Sequence, residues 1–148
     1  MLAPSVGATE ETEGDSTMGY GTKIQKLTGK KVNVATWDGE RLYFATDAGD
    51  FVATSNGDCC ARCYVQHVSG SDALAPGATV RSVEDIEAPP VPKDADSYVV
   101  SDTWGHRITT DKGVCTIEMR VDHNGYYGGS LDLTEYEGVL AGKPLDDF

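Results

Sequence analysis

The sequence predicts a mostly β domain, an antiparallel sheet or sandwich of about seven short strands with one short helix. Three observations carry this. Glycine is abundant, at 17 of 148 residues, and turn dipeptides separate short apolar runs. Val114 to Val121 alternates, with Cys115, Ile117, Met119 and Val121 on one side and Val114, Thr116, Glu118 and Arg120 on the other. Asn124-Gly125 is a strong short hairpin signal. An α+β layer is the alternative, because two segments also fit helical turns.

Residues 1–22 hold Glu10, Glu11, Glu13 and Asp15 and no basic residue. Such a segment buries little apolar surface and reads as an acidic arm, flexible or held by a partner. The β-rich globular domain is expected over residues 23–134. Lys31 to Trp37 is its first strand and ends at the turn Asp38-Gly39. Arg41 to Thr46 follows, with Leu42 and Phe44 on one face and Tyr43 on the other. Asp47-Ala48-Gly49-Asp50 turns the chain into Phe51 to Thr54, which completes a meander with short connections.

Ser55-Asn56-Gly57 closes that meander, and Asp58 is placed to cap a helical turn or to lead into a strand over Cys60 to Val68. Ser71 to Leu74 fits a short helix, capped by Ser71 or Asp72 and stopped by Pro76-Gly77. Ala78 to Ile86 carries Val80, Val83 and Ile86, an irregular spacing for a strand. Ala88 to Asp94, with three prolines, is a stiff loop. Ser97 to Thr110 is a hairpin arm, turned by Asp111-Lys112-Gly113 into the alternating strand. Asp122-His123-Asn124-Gly125 is the next turn, and Tyr126 to Leu133 the last strand, weakened by Gly128-Gly129. Residues 135–148 form an acidic tail, expected to be loosely held.

The formal charge of −12 argues against nucleic acid, which is bound by neutralising phosphates with Lys and Arg. It argues equally against an anionic membrane surface. No apolar run approaches the roughly 20 residues of a spanning helix. Met1 to Gly21 has neither a basic n-region nor an apolar h-region and reads as no signal peptide. The four cysteines are then expected as reduced thiols in a cytoplasm.

Cys60-x-x-Cys63 beside Cys59 invites a zinc or redox reading. Zinc needs a second pair at similar spacing, and Cys115, His67, His106 and His123 are all isolated. Redox chemistry needs the pair at a helix N-terminus after a strand. Compact packing beside a capping aspartate is the simpler account. Ser101, Asp102 and His106 are close in sequence, with Cys115 a further nucleophile, but a triad is a matter of geometry. Asp47, Asp50 and Asp58 lack the spacing of a calcium loop and read as turn formers. No catalytic residue, cofactor or metal site is assigned. In Tyr126-Tyr127 one ring should face the core and the other solvent, where it could meet a partner.

Leu27-Thr28-Gly29-Lys30-Lys31, the hairpin ending at Phe51, Asp58-Cys59-Cys60, Gly70 to Leu74 and Asn124-Gly125-Tyr126-Tyr127 together resemble a known family. It is the DUF7448 type of uncharacterised phage and bacterial domain, marked by its Asp-Cys-Cys and Asn-Gly-Tyr-Tyr motifs. The match covers about residues 27–133. Cys63 departs from the family pattern, so the resemblance lends nothing to a Cys-x-x-Cys site. It implies a phage origin and no known activity.

The expected function is a non-enzymatic, phage-encoded interaction protein, a component of a virion or another multi-subunit assembly. Protein partners or self-association are expected, in the host cytoplasm or incorporated in the particle, with no direct nucleic acid and no membrane. The alternative is a soluble accessory or counter-defence protein that binds a nucleotide-derived ligand or a host factor. Arg62, Arg107, Tyr126 and Tyr127 would then form its binding site, while Asp58, Cys59, Cys60, Asn124 and Gly125 serve as structural motifs.

Overall fold

The computed structural model describes residues 22–57, 61–89, 100–123 and 129–148. Ten strands follow in order among them. They are β1 (Thr22–Lys23), β2 (Lys31–Trp37), β3 (Leu42–Thr46), β4 (Gly49–Gly57), β5 (Arg62–Ser69), β6 (Ala78–Glu87), β7 (Val100–Thr110), β8 (Gly113–His123), β9 (Gly129–Glu135) and β10 (Lys143–Pro144). Two short 3-10 turns, Ile24–Leu27 and Ser71–Leu74, are the helical content of the described residues. The protein is therefore antiparallel β, and the α+β alternative falls away. The strands exceed the expected seven partly because β1 and β10 are two-residue pairings that no sequence pattern announces.

The sheet runs β1-β9-β4-β3-β2-β6-β7-β8-β5, with β10 on β2 off this path. Inside the path the sheet narrows at β2–β6, where Lys31↔Thr79 and Val32↔Ala78 are the two paired positions. One core nonetheless joins Leu131 and Leu133 of β9 to Phe44, Ile108, Ile117, Met119, Val65 and Val68. Strands from both ends of the path can share one core only if the sheet curls back on itself. Cys63 of β5 marks the meeting point, with its Sγ 3.8 Å from the Ser130 carbonyl on β9.

β8 follows its alternation: Cys115, Ile117, Met119 and Val121 are buried and the residues between them are not. It also continues through Asp122 and His123, which pair with Ser101 and Val100, so those two residues belong to the strand and not to the expected turn. Asp50 likewise lies in β4, opposite Ala45, leaving a two-residue turn at Asp47-Ala48. Tyr43 points away from Phe44 yet is buried. Tyr136 covers it edge-on at 5.1 Å and Asp38 Oδ2 accepts its hydroxyl at 2.8 Å.

Three strands carry bulges, and all three show the same spacing. Register shifts fall between Val32 and Val34, Val65 and His67, and Val80 and Ser82. The buried apolar residues flanking them are Val32 and Ala35, Val65 and Val68, Val80 and Val83, each pair three apart. One inserted residue restores the inward phase after the kink. That accounts for the irregular apolar pattern of β6, and for Val34 standing 45% exposed.

Ser71 to Leu74 makes a 3-10 turn over the expected span, but its cap is not a side chain. Gly70 holds the N-cap position in the left-handed region, and the Ser71 amide donates to Asp147 Oδ1 at 2.8 Å. The tail supplying Asp147 is not loosely held. Thr36 Oγ1 donates to the Ala141 carbonyl and the Leu145 amide to the Ala35 carbonyl, while Phe148 and Val68 exchange backbone hydrogen bonds at 3.0 Å. Residues 141–148 thus cover the part of β2 that has parted from β6, then reach the outer edge of β5.

Candidate functional site

The tail and the end of β2 together wall an open concavity. Where β2 ends, Trp37 stacks on Phe148 with ring centroids 5.1 Å apart and planes 25° from parallel. Around this pair lies an open pocket of about 470 Å³, lined also by Asp38, Gly39, Gly142, Lys143, Pro144, Asp146 and Asp147. Tertiary pairing places the tail's side of it. Lys143 sits opposite Trp37 in the β10–β2 register, and Phe148 is set by its bonds to Val68.

Two carboxylates of this pocket, Asp38 and Asp147, are held below their ordinary pKa. Asp38 Oδ1 accepts the amides of Glu40 and Arg41 at 2.8 and 2.7 Å. Those amide bonds, with the Tyr43 hydroxyl, hold its pKa below the ordinary value against the opposing effect of burial. Hydrogen bonds from Ser71 and Gly70 lower the pKa of Asp147. Asp146 Oδ1 accepts the amide of Asp147 at 3.0 Å. The sequence reading missed this site because the acidic tail over residues 135–148 offers no periodicity by which to foresee docking.

A second polar cluster lies on the outer face of β5, β8 and β7. Ser101 Oγ donates to Asp122 Oδ1 at 2.6 Å, and Arg120 Nε donates to the same oxygen at 2.8 Å. Arg120 Nη2 reaches Ser101 Oγ at 3.2 Å. In the next column Arg62 lies opposite Asp122, with its guanidinium 4.8 Å from the Tyr64 ring centroid. The Ser101 hydroxyl and the Arg120 guanidinium are thus spent on Asp122, whose carboxyl they keep below its usual pKa against desolvation.

Arg107 is on the same outer face, opposite Thr116 and 3.5 Å from Glu84. Arg62 lies at the Asp122 level and Arg107 at the Thr116 level, which separates them by about 20 Å along β8 at about 3.4 Å per residue. The structure does not bring these two arginines together. Tyr126, Tyr127, Asp58, Cys59, Cys60, Asn124 and Gly125, and the arm before Thr22, lie outside the described residues.

Ser101, Asp102 and His106 form no triad. Ser101 faces outward, whereas Asp102 accepts from His123 Nε2 at 2.6 Å and His106 Nδ1 lies 3.0 Å from Asp85 Oδ1. Gln25 Nε2 donates to that same Asp85 oxygen at 2.6 Å, tying the first 3-10 turn to β6. His106 is 7% exposed, and its Nε2 has no partner among the described residues. Burial lowers its pKa more than Asp85 raises it. Burial also pushes the Cys63 thiol up to about 11 and that of Cys115 to about 12, the opposite of an activated nucleophile. Among the described residues no three His, Cys, Asp or Glu side chains are grouped to hold a metal.

No curated protein and no solved structure matches this chain. A family match does cover residues 25–133, which include β2 to β8 and most of β9. The tail that walls the pocket lies beyond it. On that match, spanning well over half its length, the chain belongs to DUF7448, a domain of unknown function.

Proposed function

We propose that this chain is a non-enzymatic interaction domain that binds a protein partner at the Trp37–Phe148 pocket. The observation that carries this reading is the stacked Trp37–Phe148 pair in an open concavity, with Trp37 partly buried and Phe148 44% exposed. Aromatic rings supply large contact area at small entropic cost, and energetic anchors of interfaces concentrate in such places. The chemistry of the described side chains favours binding over turnover. The thiols of Cys63 and Cys115 are held neutral, Ser101 is bonded to a carboxylate, and His106 faces the core.

The family resemblance suggests a setting, a phage-encoded component of a virion or another assembly made in the host cytoplasm. The small-ligand alternative lacks a comparable observation, since Arg62 and Arg107 stand at opposite ends of one sheet face. Crosslinking in cells that express the full chain tests the proposal, with Lys143 on the pocket wall as the reporter. Crosslinks from Lys143 to another polypeptide are expected. A protein that stays monomeric by light scattering, with every Lys143 crosslink internal, would sink the reading.

A further inference from the structure

The pocket's charge says what kind of partner it fits. Among its lining residues Asp38, Asp146 and Asp147 bring three carboxylates and Lys143 one ammonium, a local balance of two negative charges. The whole chain, at −12, is biased the same way and would steer cationic groups toward it. The stacked rings of Trp37 and Phe148 line the same pocket. Aromatic rings and carboxylates lining one pocket match a flat or aliphatic cation, held by the ring quadrupole and by the carboxylates.

We infer that the Trp37–Phe148 pocket receives an arginine or lysine side chain from a basic segment of the partner protein. This rests on the reading of the same pocket as an interaction site and adds the chemistry of the ligand. The planar guanidinium of arginine fits better, because it stacks on an aromatic face while its N–H fork bonds carboxylates. Asp38 has three donors already and serves as fixed charge. Among the described residues Asp146 is bonded through Oδ1 alone, to the amide of its own neighbour, which leaves its second oxygen to answer a ligand.

The test is an NMR titration of the full chain with acetyl-Gly-Arg-Gly-amide, its lysine counterpart and its glutamate counterpart. Saturable shifts are expected at the Trp37 indole N–H and the Gly39 and Gly142 amides, stronger for arginine than for lysine and absent for glutamate. Raising the salt should weaken them severalfold. Asp146→Asn keeps the acceptor for the Asp147 amide, so it should weaken arginine binding about threefold, roughly the loss of one screened charge contact, with unchanged melting. No arginine shift up to about 50 mM, beyond the weakest useful single-residue affinity, overturns the inference, as does an equal response to glutamate. If Lys143 crosslinks persist without an arginine response, only the ligand class is wrong. If both fail, the pocket is not an interaction site.

Discussion

Phe148 and Val68 donate their amides to each other's carbonyls at 3.0 Å, so Phe148 closes on the outer edge of β5. His67 Nδ1 lies 3.3 Å from the same Phe148 carbonyl. An exposed strand edge is a template for unwanted pairing, and here the chain's own tail covers it. The same segment bonds β2 through Leu145 and Ala35, so it ties strands from two parts of the curled sheet.

Deleting residues 145–148 should therefore cost more than an acidic terminus would suggest. Three backbone bonds and the packing of Leu145 against the core are lost. At about 1 kcal/mol per net hydrogen bond, a loss of about 3 kcal/mol is expected. For a domain of this size that lowers the melting temperature by about 10 °C. Calorimetry of the truncated chain checks it, and a shift below about 2 °C, under 1 kcal/mol on that scale, would mean the tail is not structural.

Gly70 should resist substitution. Its φ is +73°, and a Cβ there would stand 2.1 Å from the Val114 carbonyl oxygen, a backbone atom that cannot swing aside. Gly70→Ala combines a left-handed penalty with a clash between the second 3-10 turn and β8. The expected loss is about 2–4 kcal/mol, at the upper end of overpacking costs. Urea unfolding measures it directly.

His106 should make stability pH-dependent. Its folded pKa lies below the ordinary value because burial disfavours the imidazolium. Unfolded, it titrates near pH 6.5. Between those two values the unfolded chain binds more protons, so stability falls as the pH drops through 6.5 toward the folded pKa, and is fully present above 6.5. His106→Gln should flatten the drop between about pH 7.5 and 5.5, the interval bracketing the unfolded value. Other titrating groups cancel in the difference between the two proteins. Identical pH profiles would show that His106 is not the source.

Cys115 should be chemically silent until the protein opens. It is fully buried, and its thiol is shifted up to about 12. Peptide-resolved alkylation at pH 8 should leave it unlabelled in the native protein and label it fully in urea. Cys63, partly exposed and shifted to about 11, should react slowly. Native labelling of Cys115 at the rate of a free thiol would contradict its place in the core.

Much of this fold was legible from local pattern. β2 begins at Lys31 and ends at Trp37 where its apolar run and the Asp38-Gly39 turn put it, and β8 buries the four residues its alternation selects. The irregular spacing after Val80 was legible, but that it is a bulge, like those after Val32 and Val65, needed the partner strand to show the shift. The site was far less readable. Arg62 and Arg107 share an outer face, but register puts them at opposite ends of it.

By itself, then, the sequence determined the β class, most strand limits and the inward face of each well-patterned strand. These follow from period-two alternation and turn chemistry, which act between neighbours in the chain. Only the tertiary structure decided that the sheet curls onto one core, that residues 141–148 close two open edges, and that Trp37 meets Phe148. Those contacts join residues far apart in sequence. They depend on which backbone edges are left unpaired once the sheet has formed, and no local pattern records that.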